Sequence, residues 1–202
     1  MTPFLAEEAK SRLVEAVKKV ESQTAAELVV CVRARSSLYR DVDVLVGAGL
    51  AFVVLLALLF DPIELDERHF PIDVLVAFVV GAFVSRALGG PRLASRSRRR
   101  AEVEKGAKVE LVTQNVTATR RRVGVLVYAS AAERMVEIVS DIGISREALG
   151  AYLDSARASC EAAFVAGDVG AFTAALEKLG EGLAKALPRE ADDVNELPDE
   201  VS

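Results

Sequence analysis

Val44-Leu-Val-Gly-Ala-Gly-Leu-Ala-Phe-Val-Val-Leu-Leu-Ala-Leu-Leu-Phe60 contains no charged, amide or hydroxyl side chain. At ~1.5 Å of rise per residue, a helix of this length with a flanking turn crosses the hydrocarbon of a bilayer. A second run, Val74–Ser85, extends to Leu88 with Arg86 near its end. In a chain of 202 residues the rest of the protein is too small to surround two helices that are apolar on every face, which argues against a pair of buried core helices. The expectation is a transmembrane helix over 43–60, a second over 72–88, and a connector over 61–71.

That connector, Asp61-Pro-Ile-Glu-Leu-Asp-Glu-Arg-His-Phe-Pro71, is short and polar with a proline at each margin, so the two helices form an antiparallel hairpin. Both outer ends then face one compartment. Arg33, Arg35 and Arg40 precede the hairpin and Arg86, Arg92, Arg96, Arg98, Arg99 and Arg100 follow it, whereas the connector is mainly acidic. The positive-inside rule places both flanks in the cytoplasm: the expectation is a multi-pass protein of a cell (inner) membrane with both termini cytoplasmic. The N-terminus agrees, since Met1–Phe4 has no basic region and Glu7–Glu21 is charged and amphipathic, unlike a secretory signal. Within the second helix Ala77, Gly81 and Ser85 recur every four residues, a small-residue stripe that admits a close helix neighbour, and Gly47 and Ala51 offer a matching surface on the first. The expected partners are the lipid bilayer and, through the hairpin, other membrane proteins or a second copy of the chain.

Composition agrees with an apolar insertion in an ordinary domain. Hydrophobic residues make up 51% and the mean hydropathy is +0.28, yet 27% of residues are charged, so the apolar excess must be concentrated. The net charge of −5 and a pI near 5.1 argue against a nucleic-acid binder. Ser95-Arg-Ser-Arg-Arg-Arg100 follows a membrane helix and has no interleaved aromatics to stack on bases, so it reads as a topology anchor touching anionic lipid. Cys31 and Cys160 stand far apart with no His or Cys at metal spacing and read as small buried apolar side chains. His69, beside Asp66 and Glu67, reads as part of a solvated connector.

Outside the hairpin, Leu13, Val14, Val17 and Val20 recur at helical spacing within residues 5–22, and Glu27–Arg33 is a β-branched strand. Residues 99–118 read as a helix. Val123–Ala129 and Arg134–Ser140 read as strands joined by the turn Ser130-Ala-Ala-Glu133. Helices over 145–166 and 168–187 follow, divided at Gly167 with Asp168 as N-cap. The fold class is α/β: a discontinuous domain over 1–40 and 90–187, with an acidic tail over 188–202 expected to be disordered.

Three stretches carry a resemblance. Glu21-Ser-Gln-Thr24-Ala-Ala-Glu27-Leu-Val-Val30, Thr119-Arg-Arg-Arg122-Val-Gly124-Val-Leu-Val-Tyr128 and Arg134-Met-Val-Glu-Ile-Val-Ser-Asp141-Ile-Gly143 occur in an order and spacing similar to the TPM domain proteins. Those include the thylakoid acid phosphatase and the photosystem II repair protein of plants and cyanobacteria. Asn195-Glu-Leu-Pro198-Asp199 also looks like the tail of one membrane-anchored branch. The resemblance implies an α/β/α sandwich around a small mixed sheet, here interrupted by a transmembrane helical hairpin. The hairpin and the cytoplasmic placement depart from the lumenal members, whose partners are not carried over.

The residues admit a physical reading of their own. If Glu27–Arg33 runs parallel to Val123–Ala129 and Arg134–Ser140 returns antiparallel, then Glu27, Arg122 and Asp141 converge on one rim of the sheet, with Thr24 and Thr119 adding hydroxyls. Glu27, Asp141 and Thr24 suit a hard cation such as Ca²⁺ or Mg²⁺, and Arg122 with Thr119 suits an anion such as phosphate. The same residues also suit structural work: Thr24 capping a turn, Glu27 pairing with Arg122, and Asp141 ending its strand in an Asx-turn before Gly143. Two function classes follow, with no catalytic residue assigned. One is a membrane-anchored interaction, assembly or quality-control factor for membrane proteins. The other is the metal-assisted acid phosphatase that the family's enzymatic member implies. The interaction factor leads, because the domain offers no nucleophile beside a base, no His and no dense Asp cluster.

Overall fold

Three β-branched runs make one sheet. In the computed structural model, which describes residues 3–60, 67–88 and 90–189, β1 (Glu27–Arg33), β2 (Gly124–Ser130) and β3 (Met135–Ser140) lie in the order β1-β2-β3. β1 is parallel and β3 antiparallel to β2; Glu27 stands opposite Gly124, and Ser140 opposite Val125. Every residue of β2 is buried, which explains why it reads as a continuous apolar run without alternation.

Its two faces belong to two clusters. Val125, Val127 and Ala129 pack with Val30 and Val32 of β1 beneath α1 (Glu7–Glu21), α5 (Arg146–Ala166) and α6 (Val169–Ala186), where Leu13, Val17, Leu153 and Leu176 are fully buried or nearly so. Phe4, Phe164 and Phe172 close this cluster, with ring centroids 4.8 and 5.1 Å from Phe4. Burying each such ring stabilises the fold by about 1.5–3 kcal/mol. On the other face Leu126 and Tyr128 pack with Val29, Cys31 and two residues of α4 (Arg96–Thr113), Val103 and Ala107. Helix ends follow local chemistry. Ser145 caps α5 by accepting the Ala148 amide, Gly167 ends it at φ +74, and Asp168 caps α6 by accepting the Ala171 amide at 2.9 Å. Cys31 and Cys160 are both buried thiols, and burial pushes the Cys160 thiol up to about 12. The chain is thus a helix-rich α/β protein with a small mixed sheet.

Two compact units divide it: Met1–Ser36 with Arg100–Ser202, and Ser37–Arg99. The second contains α2 (Arg40–Phe60) and α3 (Phe70–Leu88). The connector expected over 61–71 is shorter than that, because α3 already starts at Phe70. Pro71 sits in its first turn, where a missing amide proton leaves no intrahelical bond unmade. Residues 61–66 of the connector lie outside the described residues, as do 190–202 of the tail. Pro188 and Arg189, expected within a disordered tail, are held instead: Pro188 bridges to Thr24, and the Arg189 guanidinium donates to the Glu21 carbonyl at 2.8 Å.

α2 and α3 run in opposite directions along each other. The expected packing positions Gly47, Ala51, Ala77, Gly81 and Ser85 are all buried within this unit, and Ser85 donates its hydroxyl to Asp43 at 2.7 Å. A Cβ at Gly81 would lie 3.0 Å from the Gly47 Cα and 3.1 Å from the Leu50 Cβ. The remaining circumference is apolar and open, with Leu45, Phe52, Phe60 and Phe83 each at least 60% exposed. Changing Gly81 to Leu is therefore expected to force the helices apart and lower thermal stability by about 1–3 kcal/mol. Gly49→Leu is the control, since a Cβ there meets nothing within 4 Å. Equal melting temperatures for the two variants would show that the helices do not meet at Gly81.

Candidate functional site

The parallel register places the starts of β1 and β2 and the end of β3 along one rim. Two turns build it. In the first, Val116–Ala118 forms a short 3₁₀ turn, the Thr119 carbonyl accepts the Arg122 amide at 3.1 Å, and the buried Thr119 hydroxyl accepts the Val123 amide at 3.1 Å. In the second, the chain leaves β3 at Asp141. The Asp141 amide donates to the Gly124 carbonyl at 2.9 Å and the Gly143 amide to the Arg122 carbonyl at 2.8 Å, so the turns are knitted together. Gly124 and Gly143 permit this approach. A Cβ on Gly124 would collide with the Val116 carbonyl, and one on Gly143 with the carbonyls of Arg121 and Arg122.

Arg122 holds a left-handed backbone, φ 57, and its guanidinium grips Asp141 with two hydrogen bonds, Nε to Oδ2 at 2.6 Å and Nη2 to Oδ1 at 3.0 Å. Asp141 Oδ1 also accepts the Ile142 amide at 2.8 Å, the local cap expected of a carboxylate at a strand end. Burial alone would raise the Asp141 carboxyl, but the Arg122 hydrogen bond, the Ile142 amide and the nearby positive charge outweigh it and hold the group below its ordinary 3.8. The Arg122 side chain is 46% exposed, so solvent weakens its half of the pair. The ion pair sketched from the sequence between Glu27 and Arg122 is replaced by this one.

Thr24 is committed as well. Its hydroxyl donates to the Leu187 carbonyl at 2.7 Å and accepts the Ala26 amide at 3.2 Å, tying the chain beyond α6 to the entry of β1. Glu27 is buried at the first position of β1, and beside it the Glu21 carboxylate accepts the Leu28 amide at 3.0 Å. As arranged, Glu27, Asp141 and Thr24 do not fit a hard cation. Both Asp141 oxygens face a guanidinium, whose charge repels one, and among the described residues no three Asp, Glu, His or Cys side chains gather where they could hold a metal. Arg122 and Thr119 share the rim, but Arg122 is turned onto Asp141, and the rim works as a brace of charge-assisted hydrogen bonds.

Two carboxylate networks, one buried and one partly buried, escaped sequence reasoning. Glu133, read only as the last residue of a turn, is fully buried; it accepts the Ser130 hydroxyl and the Ser36 amide at 3.2 Å. Arg100, counted with the membrane flank, pairs with Glu137 at 3.3 Å and Glu161 at 2.5 Å. Arg98, from the same run, pairs with Asp41 and lies 5.9 Å over the Tyr39 ring. The weak signal for these was the isolated acidic residue in each otherwise apolar or neutral stretch.

No family model and no curated protein matches this sequence. Among solved structures the chain is similar to the NMR structure of BA42 protein from the psychrophilic bacterium Bizionia argentinensis, with a TM-score of 0.60 and 20% identity over 98% of this chain and 94% of that one. At that identity the likeness is one of fold.

Two expectations follow for the rim. Gly124→Ala should cost about 1–3 kcal/mol in a denaturant titration, because the Val116 carbonyl must move. The second concerns acid. A carboxyl held below its unfolded value contributes stability that is complete above about pH 3.8 and is lost as pH falls through the folded value. Asp141→Asn should therefore lower the melting temperature at neutral pH and shrink the difference from wild type as the solution is acidified below that value. A constant difference across the titration would show that the carboxylate charge is irrelevant at this rim. Millimolar Ca²⁺ or Mg²⁺ should leave both melting temperatures unchanged.

Proposed function

We propose that this chain is a membrane-anchored TPM-like protein, an α/β/α sandwich interrupted by a transmembrane helical hairpin. It holds its α/β unit on the cytoplasmic side as an interaction, assembly or quality-control factor for membrane proteins. The observation that carries this reading is the pair α2 and α3. Their apolar windows have mean hydropathies of 2.7 and 1.8, and only 17% of each window is buried. Core helices of a water-soluble protein would be covered, and leaving Phe52, Phe60 and Phe83 in water forfeits roughly 25 cal/mol for each Å² of apolar surface. Lipid is the solvent that suits such a surface.

The α/β unit supports an interaction role better than catalysis. Its rim carboxylate is taken up by Arg122, its Thr24 hydroxyl by a backbone carbonyl, and its Cys160 thiol stays protonated. The groups that hydrolysis of a phosphate ester would need are occupied in holding turns together.

Topology and function separate experimentally. A single cysteine in place of Glu64 is expected to react with a membrane-impermeant maleimide in intact cells, while one in place of the exposed Ser97 is expected to react only after the membrane is opened. Reaction at Ser97 in intact cells would overturn the cytoplasmic placement. Purification of the intact chain from membranes should bring down stoichiometric membrane-protein partners; a chain that elutes alone and turns over a phosphomonoester would favour the enzyme.

A further inference from the structure

β3 is an edge strand, with β2 on one side and, among the described residues, no strand on the other. Its hydrogen bonds reveal which residues face outward. Val136 offers its amide to the Glu161 carboxylate at 3.1 Å and its carbonyl to the Arg100 guanidinium at 2.8 Å, so Val136 points away from β2. Asp141 points toward β2, donating to Gly124. In an antiparallel ladder this direction alternates, so Ile138 and Ser140 also present amide and carbonyl groups to the open edge.

These two residues open on a groove of about 320 Å³. One wall is Glu104 and Lys108 of α4, the other Ile144 and Arg146 where α5 begins, and the strand forms the floor. At the Val136 end the groove is shut by the bridge from Arg100 to Glu161, which fills the strand's hydrogen-bonding groups with side chains. At the other end it is open, and Ile142 is 82% exposed there. Backbone groups at such an edge are paired with water or with another strand.

The shape selects the occupant. The edge is recessed between two helices, and Ile138 itself is only 3% exposed, so a second globular copy cannot bring its own flanked edge against it. A single extended chain can. Ile138 and Ser140 lie ~7 Å apart along β3, enough to pair with about three residues of an added strand. Charge selects further. Three acidic groups of the groove have cations of their own: Glu104 with Lys108 at 2.7 Å, Glu137 with Arg100 at 3.3 Å and Asp141 with Arg122 at 2.6 Å. Arg146 makes no ion pair among the described residues; its charge is felt by Glu104, which Lys108 already holds, so Arg146 is the groove cation left to take a further anion. Its place in the first turn of α5 adds the positive end of that helix dipole.

We propose that this groove binds an extended peptide segment of a partner protein as a fourth strand along β3, with an aspartate or glutamate of that segment seated on Arg146. The inference rests on the interaction reading above for its biological use, and supplies the class of segment that is held.

The test uses the full-length chain in mild detergent and the fluorescein-labelled peptide Val-Thr-Val-Glu-Val, read by anisotropy. A second peptide carries Lys in place of Glu, and a third keeps the Glu but has alternate backbone amides N-methylated. The Glu peptide is expected to bind roughly tenfold more tightly than the Lys peptide, and the exposed-site variant Arg146→Glu to invert that order. N-methylation on the face that pairs with β3 should abolish binding. Absence of binding by every peptide, or binding indifferent to both N-methylation and Arg146→Glu in a variant with an unchanged circular dichroism spectrum, overturns the proposal. If the peptides fail while stoichiometric membrane partners still co-purify, the groove falls and the interaction reading stands. Peptide binding of the expected order by a chain that brings down no membrane partner supports the groove and counts against the interaction reading.

Discussion

Parallel pairing of β1 with β2 is the constraint from which the architecture follows. Because Glu27 must lie beside Gly124, the chain that leaves β1 at Arg33 has to return along the whole sheet before β2 can begin. Residues 34–123 make that return, and they include both apolar helices as well as α4. A crossover of this kind tolerates a large excursion, since the entropy of closing a loop grows only logarithmically with its length. The Arg33–Glu110 pair shows where the return is pinned, with two hydrogen bonds of 2.8 and 3.0 Å joining the end of β1 to α4. Arg33 holds Glu110 below the ordinary carboxylate value in spite of its burial.

The same register brings three chain segments to one rim and forces their polar groups to be reconciled. Amides at the starts of β1 and β2 cannot all be satisfied by the ladder, so Glu21, Thr24 and Thr119 accept them. Asp141 then meets Arg122 across the turn. A set of residues that on paper looks like a ligand shell is, in three dimensions, the stitching of a sheet whose ends are short.

Sequence reasoning fared best where one periodicity dominated. The β-branched runs gave β1 at Glu27–Arg33 and β2 within a residue, and Ser145, Gly167 and Asp168 marked helix ends through their own backbone chemistry. It fared worst in choosing between neighbours. Placing Glu27, Arg122 and Asp141 on one rim leaves two carboxylates to compete for one guanidinium, and the winner, Asp141, is met by an Arg122 whose left-handed backbone no propensity announces. Arg100 misled for a related reason. Six arginines near a hydrophobic helix look alike in sequence, yet Arg100 belongs to the α/β unit and caps the edge of β3, a strand that gives no sign in its own residues of which backbone groups lack a ladder partner. The helix expected over 99–118 instead runs Arg96–Thr113, because Asn115 turns left-handed after it and starts a separate 3₁₀ turn.

The burial of both thiols has a practical corollary. Burial holds the Cys160 proton up to about pH 12 and shields the thiol fully, so at neutral pH it stays in its unreactive protonated form. Cys31 is equally inaccessible. The native protein is thus chemically silent toward alkylating probes while it remains folded, so a single engineered surface thiol can carry a fluorophore, spin label or crosslinker into this chain without first stripping out the cysteines that nature put there.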